Sequence, residues 1–372
     1  GVILVIATFL LVSECAKKDK PILGSSDAAS AVYVAPGDYD EFYAFTSGGF
    51  SGQLGVYGLP SGRLFKEIPV FSVDPENGYG FNEETKDMLK TSFGHIPWDD
   101  SHHPELSQTD GVTDGRWIFI NGNNTPRIAR IDLKNFETAE IIEIPNSGGN
   151  HGSPFITQNS EYVVASTRFS VPIPQADVPI SSYKENFSGT LSFIKVNPDD
   201  GHMNIEFQIM VPGYDYDLAS GGKGPSHGWA FFSSYNTEQA NTLLEVNASK
   251  NDKDFIAAVN WKLAEKYLAE GKGHKKPADY YHNYMDHNSH SAVSEQKTSV
   301  TVLYPAECPG LIYYLPTPKS PHGVDVDPTG EYIVGGGKLA AVVSVHSFSK
   351  MIKAIEDKKF IGDAGGIPVL DY

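Results

Sequence analysis

Twelve histidines are scattered through this 372-residue chain, and four of them stand in closely similar settings. His102 and His103 form a pair in Asp99-Asp100-Ser101-His102-His103-Pro104. His151 lies in Gly149-Asn150-His151-Gly152-Ser153-Pro154, and His322 in Ser320-Pro321-His322-Gly323. Each setting is turn-rich, with proline or glycine alongside. Neutral imidazole suits copper, zinc, iron and nickel, so histidines without cysteine nearby point towards a transition metal. Adjacent residues of a regular strand face opposite ways, so His102 and His103 reach one metal only where the backbone is irregular. Pro104 argues against a regular central strand there, and glycine beside a histidine lets backbone approach a site closely. Taken singly, any one of them is more commonly a hydrogen-bonded surface or turn residue. Asp110 and Asp114, in Thr109-Asp110-Gly111-Val112-Thr113-Asp114-Gly115, read as turn residues. His274, His282, His287 and His290 share their stretch with Lys272, Lys275 and Lys276, and read as a solvated loop rather than a metal-binding tract.

The elements that must position these residues are short strands. From Tyr39 onward, apolar runs alternate with Gly, Pro, Asn and Asp turns, and 36 glycines and 24 prolines fit an all-β fold rich in turns. One unit recurs loosely. Asp114-Gly115-Arg116 leads into Trp117–Ile120 and then Arg127–Leu133; Ser160-Glu161 leads into Tyr162–Ala165 and then Leu191–Val196. Thr329-Gly330-Glu331 leads into Tyr332–Val334 and then Ala341–Val345. Turn, strand and partner strand in this order resemble the inner hairpin of a β-propeller blade, with a β-sandwich as the alternative. The stretch Ala257–Gly271 breaks the pattern with helical spacing of Trp261, Leu263, Ala264, Tyr267 and Leu268, and Gly271 as a stop.

A net charge of −17 argues against nucleic acid, whose phosphates need clustered Lys and Arg, and reads first as a device for solubility. Two cysteines, Cys15 and Cys308, cannot build a disulfide scaffold or a four-thiolate zinc site. The apolar run Gly1–Val12 is too short to span a bilayer and suits part of a signal peptide. Leu11-Val12-Ser13-Glu14-Cys15 resembles a lipoprotein box, with Glu14 where a small residue is usual, and implies lipidation of Cys15. The chain therefore reads as a leader over residues 1–15, a linker over 16–38 and one β-propeller domain over 39–372.

Three motifs, in order, carry a family resemblance. The run from Asp99 to Leu133, DDSHHPELSQTDGVTDGRWIFINGNNTPRIARIDL, is similar to the first histidine-pair motif of nitrous oxide reductases. The segments GNHGSPF and SPHGVDVDPTGEYIVGGGKL are similar to later motifs of that family. The resemblance runs from about Tyr39 to the end and looks closer to the Sec-exported branch. It implies a seven-bladed propeller whose centre holds a four-copper, sulfide-bridged cluster on seven histidines, and a cupredoxin domain with a two-copper centre. His102, His103, His151 and His322 carry over as copper ligands. Asp100 and Asp217 carry over as carboxylates that orient the imidazoles, Asp217 on weaker grounds. Tyr235 and Glu238, the two ends of a Tyr-Asn-Thr-Glu run, and Asp254 carry over as calcium ligands. Ser320 stands where the family has an asparagine. His227, in Pro225-Ser226-His227-Gly228, has no counterpart in the family pattern and is set aside.

The implied activity is reduction of nitrous oxide to dinitrogen and water in the periplasm. Electrons would come from a c-type cytochrome or a cupredoxin, in a homodimer with a possible lipid anchor at Cys15. The three other cluster histidines and the paired cysteines of the two-copper centre are expected beyond Tyr372. The chain by itself is then a truncated propeller and inactive. The rivals are a calcium-dependent, lactonase-like propeller hydrolase and a non-catalytic binding module.

Overall fold

The computed structural model describes residues 28–371 apart from 153, 169, 175, 177, 236–253, 281–298, 320 and 339. Cys15, Glu238, His282, His287 and His290 thus lie outside the described residues. The protein is mostly β-sheet with few helices, as expected. Among the described residues, five sheets of three or more strands open one after another along the chain, and a two-stranded ribbon of Lys90–Thr91 and Gly94–His95 lies between the first and the second. The first contains Phe42–Ser47, Gln53–Leu59 and Leu64–Pro69. The second contains Ser101–Thr109, Val112–Gly122, Arg127–Asp132 and Glu137–Glu143. The third runs Phe155–Ile156, Tyr162–Ser166, Phe187–Val196 and Met203–Pro212, extended by Ser299–Leu303 and His274–Pro277. The fourth runs Tyr216–Gly221, Trp229–Ser234, Phe255–Asn260 and Ile312–Pro316, extended by Ile367–Leu370 and Phe360–Ala364. The fifth holds Pro321–Val326, Tyr332–Gly337 and Val343–Ser347. Neighbours are antiparallel throughout, except where Ser299–Leu303 and Ile367–Leu370 join their sheets in parallel.

Period-two alternation decides how the sheets stack. Along Trp117-Ile118-Phe119-Ile120, Ile118 and Ile120 pack with Leu54, Val56 and Ile68 of the first sheet, while Trp117 and Phe119 pack with Val163 and Ile194 of the third. Along Ala230-Phe231-Phe232, Phe232 faces Phe155 of the third sheet, whereas Phe231 packs with Val324 and Ile333 of the fifth. These middle strands are covered on both faces, which is why they read in the sequence as unbroken apolar runs.

Three expectations change on inspection of the strands. The three hairpins do form, pairing Trp117 with Asp132, Val164 with Phe193 and Val334 with Val345. They are, however, the second and third strands of their sheets. Of their opening strands, Ser101–Thr109 and Pro321–Val326 are broken by polar residues, and Phe155–Ile156 is only two residues long, so none carries an apolar signature. The helix begins later than its spacing suggests: Phe255–Asn260 is a strand, and the helix is Trp261–Ala269. Asn260 marks the switch, its side chain accepting from the Leu263 amide at 2.9 Å as an N-cap. His274 stands in a short strand rather than a loop, exposed, and pairs with Glu307 at 2.6 Å.

The opening strands lie side by side. Phe42–Ser47 contacts Ser101–Thr109, which contacts Phe155–Ile156; that strand contacts Tyr216–Gly221, which contacts Pro321–Val326. Residues far apart in sequence therefore meet along one line.

Candidate metal centre

His102 and His103 open the second sheet, at an irregularity. Ser101 pairs with Gly122 and Pro104 with Ile120, so the two histidines together oppose Asn121 alone. Two residues against one is a β-bulge, which re-aims side chains that a regular strand would send to opposite faces. His151 lies just before the opening strand of the third sheet, Asp217 within that of the fourth, and His322 within that of the fifth.

One ring nitrogen from each of His102, His103 and His151 falls within 4.8 Å of the others. The His102 Nε2 and His151 Nε2 atoms are 3.1 Å apart. Two nitrogens held at about 2.0–2.1 Å from one tetrahedral ion stand about 3.3 Å apart, so this spacing fits a shared metal. The other nitrogen of His151, Nδ1, is 2.9 Å from Asp217 Oδ1. That contact fixes the tautomer with Nε2 free to bind. His102 Nδ1 stands 3.6 Å from Asp100 Oδ1, and Asp100 in turn accepts from Asn123 Nδ2 at 3.0 Å. His322 is outside the three-histidine group, yet its Nε2 stands 3.7 Å from Oδ2 of the same Asp217. Among the described residues, the buried atoms His103 Nε2 and Asp217 Oδ2 have no hydrogen-bond partner. Orphaned donors or acceptors of this kind fit a centre that takes a further group.

Charge agrees with geometry. Burial, then the neighbouring His102 and His151, push His103 down to about 4. Burial and His151 also lower His102, against the pull of Asp100. Both rings stay neutral at pH 7, which a metal ligand requires.

Gly152 brings the His151 loop against the fourth sheet. A Cβ there would strike the backbone carbonyl of Asp217, which cannot swing aside as a side chain could. Gly152→Ala is expected to destabilise the protein by about 1–3 kcal/mol and to part His151 from Asp217. Thermal denaturation measures it, and an unchanged melting temperature would remove this contact from the account.

Sequence reasoning missed two supporting residues. Asp99 is fully buried and accepts from the amides of Asp100, Asn124 and Thr125. Asn121 is fully buried opposite the histidine pair. The only signal for Asn121 was a polar residue closing the apolar run Trp117–Ile120. Asp110 sits in the two-residue turn between the first strands of the second sheet. Asp114 instead belongs to a strand, its carboxylate accepting from Ser107, Thr109 and Arg116.

The residues expected at calcium are only partly described. Tyr235 Oη accepts from Arg168 at 2.8 Å, and Arg168 and Lys338 lie over its ring at 4.6 and 4.8 Å. The Asp254 carbonyl accepts from the Thr317 amide at 2.9 Å. His227 pairs with Glu161 at 2.7 Å, and its ring packs against Trp261.

The fold and site together define a β-sheet protein with a cluster of three histidines that could hold a metal ion. The chain is similar to nitrous-oxide reductases over about nine tenths of its length, as its three motifs led us to expect. It is 30% identical over 336 residues to the nitrous-oxide reductase of Pseudomonas fluorescens, covering 90% of this chain and 48% of that protein. It is 28% identical over 329 residues to that of Stutzerimonas stutzeri, covering 87% and 47%. The chain spans about half the length of the curated relatives it matches. No family model matches. Among solved structures, a dihydro-heme d1 dehydrogenase in complex with DHE aligns with a TM-score of 0.39 at 8% identity, covering 84% of this chain and 44% of that one. A hydrazine synthase of Kuenenia stuttgartiensis aligns with 0.37 at 9%, covering 82% and 80%. Likeness at these scores carries no argument.

Proposed function

We propose that this chain carries part of the copper site of a nitrous-oxide reductase, which converts N₂O, two protons and two electrons to N₂ and water. The observation that carries the reading is the convergence of His102, His103 and His151, with Asp217 reaching both His151 and His322. These four histidines would hold copper. A copper–sulfide cluster would supply several binding points and both electrons for a stable, weakly ligating substrate. The chain's own residues do the orienting. Asp217 holds the His151 tautomer, Asp100 faces His102, and burial keeps His102 and His103 deprotonated.

The five sheets would be blades of a propeller, with the opening strands innermost. Tyr332, Val343 and Val345 stand exposed on the face of the fifth sheet turned from the fourth, as a blade with a further neighbour would leave them. The same reading includes calcium at Tyr235, Glu238 and Asp254, periplasmic export with Cys15 lipidated, a homodimer, and a c-type cytochrome or cupredoxin as electron donor. Asp100 and Asp217 are engaged with imidazoles, which favours a histidine-bound transition metal over a calcium-dependent hydrolase.

Copper and sulfide analysis of the full-length protein, with an N₂O assay on an artificial donor, tests the reading. Retained copper, visible absorption and N₂O consumption are expected. A folded protein that holds no copper, or that hydrolyses lactones with calcium, overturns it.

A further inference from the structure

The bulge that aims both histidines inward has a cost, because it takes the His103 amide out of the strand ladder. The partner of that amide is a side chain. Asn121, the single residue opposite the pair, accepts from His103 N through Oδ1 at 2.7 Å. Its Nδ2 points the other way and donates to the carbonyl of Asn150 and, at 3.3 Å, to that of His151. The side chain is fully buried, so no water can take over these bonds.

We propose that Asn121 is a positioning residue that sets the distance between the histidine pair and His151. The proposal rests on the metal reading above and extends it to a residue that touches no metal. The chemistry selects asparagine. One end of the group must accept and the other must donate, and a side-chain amide of this length does both. Aspartate keeps the acceptor for His103 but turns an anion towards two carbonyl oxygens. Leucine fills the space and bonds to neither segment. Ring orientation in metal sites is held by such neighbours, whose loss typically lowers metal affinity about 10–100-fold.

The test uses the full-length protein and three variants, Asn121→Leu, Asn121→Asp and His102→Ala. Copper affinity, the Cu(II) EPR spectrum, melting temperature and amide exchange are read on each. Asn121→Leu is expected to lower copper affinity at least about 10-fold and to shift the EPR parameters. Asn121→Asp is expected to retain protection of the His103 amide while still weakening copper. Wild-type affinity and spectrum in folded Asn121→Leu overturn the proposal. If Asn121→Leu does not fold, the same readings on Asn121→Asp decide. Amide exchange on the unaltered protein needs neither variant nor metal. His103 N must be as protected as Ile120 N, and fast exchange overturns the clip. The two failures are distinct: a full copper complement in His102→Ala, with no loss beyond what a separate two-copper centre retains, sinks the metal reading, whatever Asn121 does.

Discussion

Alanine in place of His151 or His102 is expected to abolish N₂O reduction by the full-length protein, with a loss far beyond about 100-fold. The reason lies in where the two rings stand. Their Nε2 atoms face each other at 3.1 Å, so removing either opens one side of the proposed copper position. The His151 ring is tied to Asp217 and its backbone to Asn121, so its Nε2 is held at this position. Loss of an orienting group costs about 10–100-fold, and loss of the ligand itself must cost more. Copper stoichiometry read beside turnover separates an empty site from a misassembled one. Near-normal N₂O turnover in either variant would remove both residues from the site.

The sequence made the histidines legible because the glycine and proline around them are local signals, readable without the fold. Their convergence was not local. His151 lies just before the opening strand of the third sheet and His322 within that of the fifth, and only the packing of the opening strands brings both to one carboxylate, Asp217 of the fourth. Middle strands such as Trp117–Ile120 were legible because they are buried on both faces. Opening strands such as Tyr216–Gly221 were not, because polar residues and glycine line the site there. The start of the helix at Trp261 was hidden because the run Phe255-Ile256-Ala257-Ala258-Val259 is compatible with either state, and tertiary pairing decided it. Asn121 and Asp99 left almost no trace, since a buried polar residue announces itself only once its partners are known.

Asp99→Ala is the second large effect, and it acts on stability. Asp99 and Arg127 are both almost wholly buried, with Oδ2 3.6 Å from the guanidinium. The carboxylate also accepts from the amides of Asp100, Asn124 and Thr125 and from the Thr125 hydroxyl. Gly122 leaves room for it, since a Cβ there would collide with Asp99 Oδ2. Arg127 in turn donates to Thr125 Oγ1 at 2.7 Å and to the Ile96 carbonyl at 3.2 Å, and its guanidinium lies over the Phe71 ring at 5.0 Å. Alanine would strand a buried cation and several amides at once. Breaking one side of a buried pair costs about 3–5 kcal/mol, a large part of the about 5–15 kcal/mol that holds a typical domain folded. Urea denaturation of the full-length protein, followed by tryptophan fluorescence, is therefore expected to show a loss of that size. The double variant Asp99→Leu with Arg127→Leu should recover part of it, because apolar replacement of both partners leaves no stranded charge. Asp100 and His102 lie one and three positions after Asp99 in the chain, so copper retention should fall together with stability in Asp99→Ala and return with it in the double variant. A loss below about 1 kcal/mol, the scale of an exposed ion pair, would show that the pair does not anchor the strand carrying the histidines.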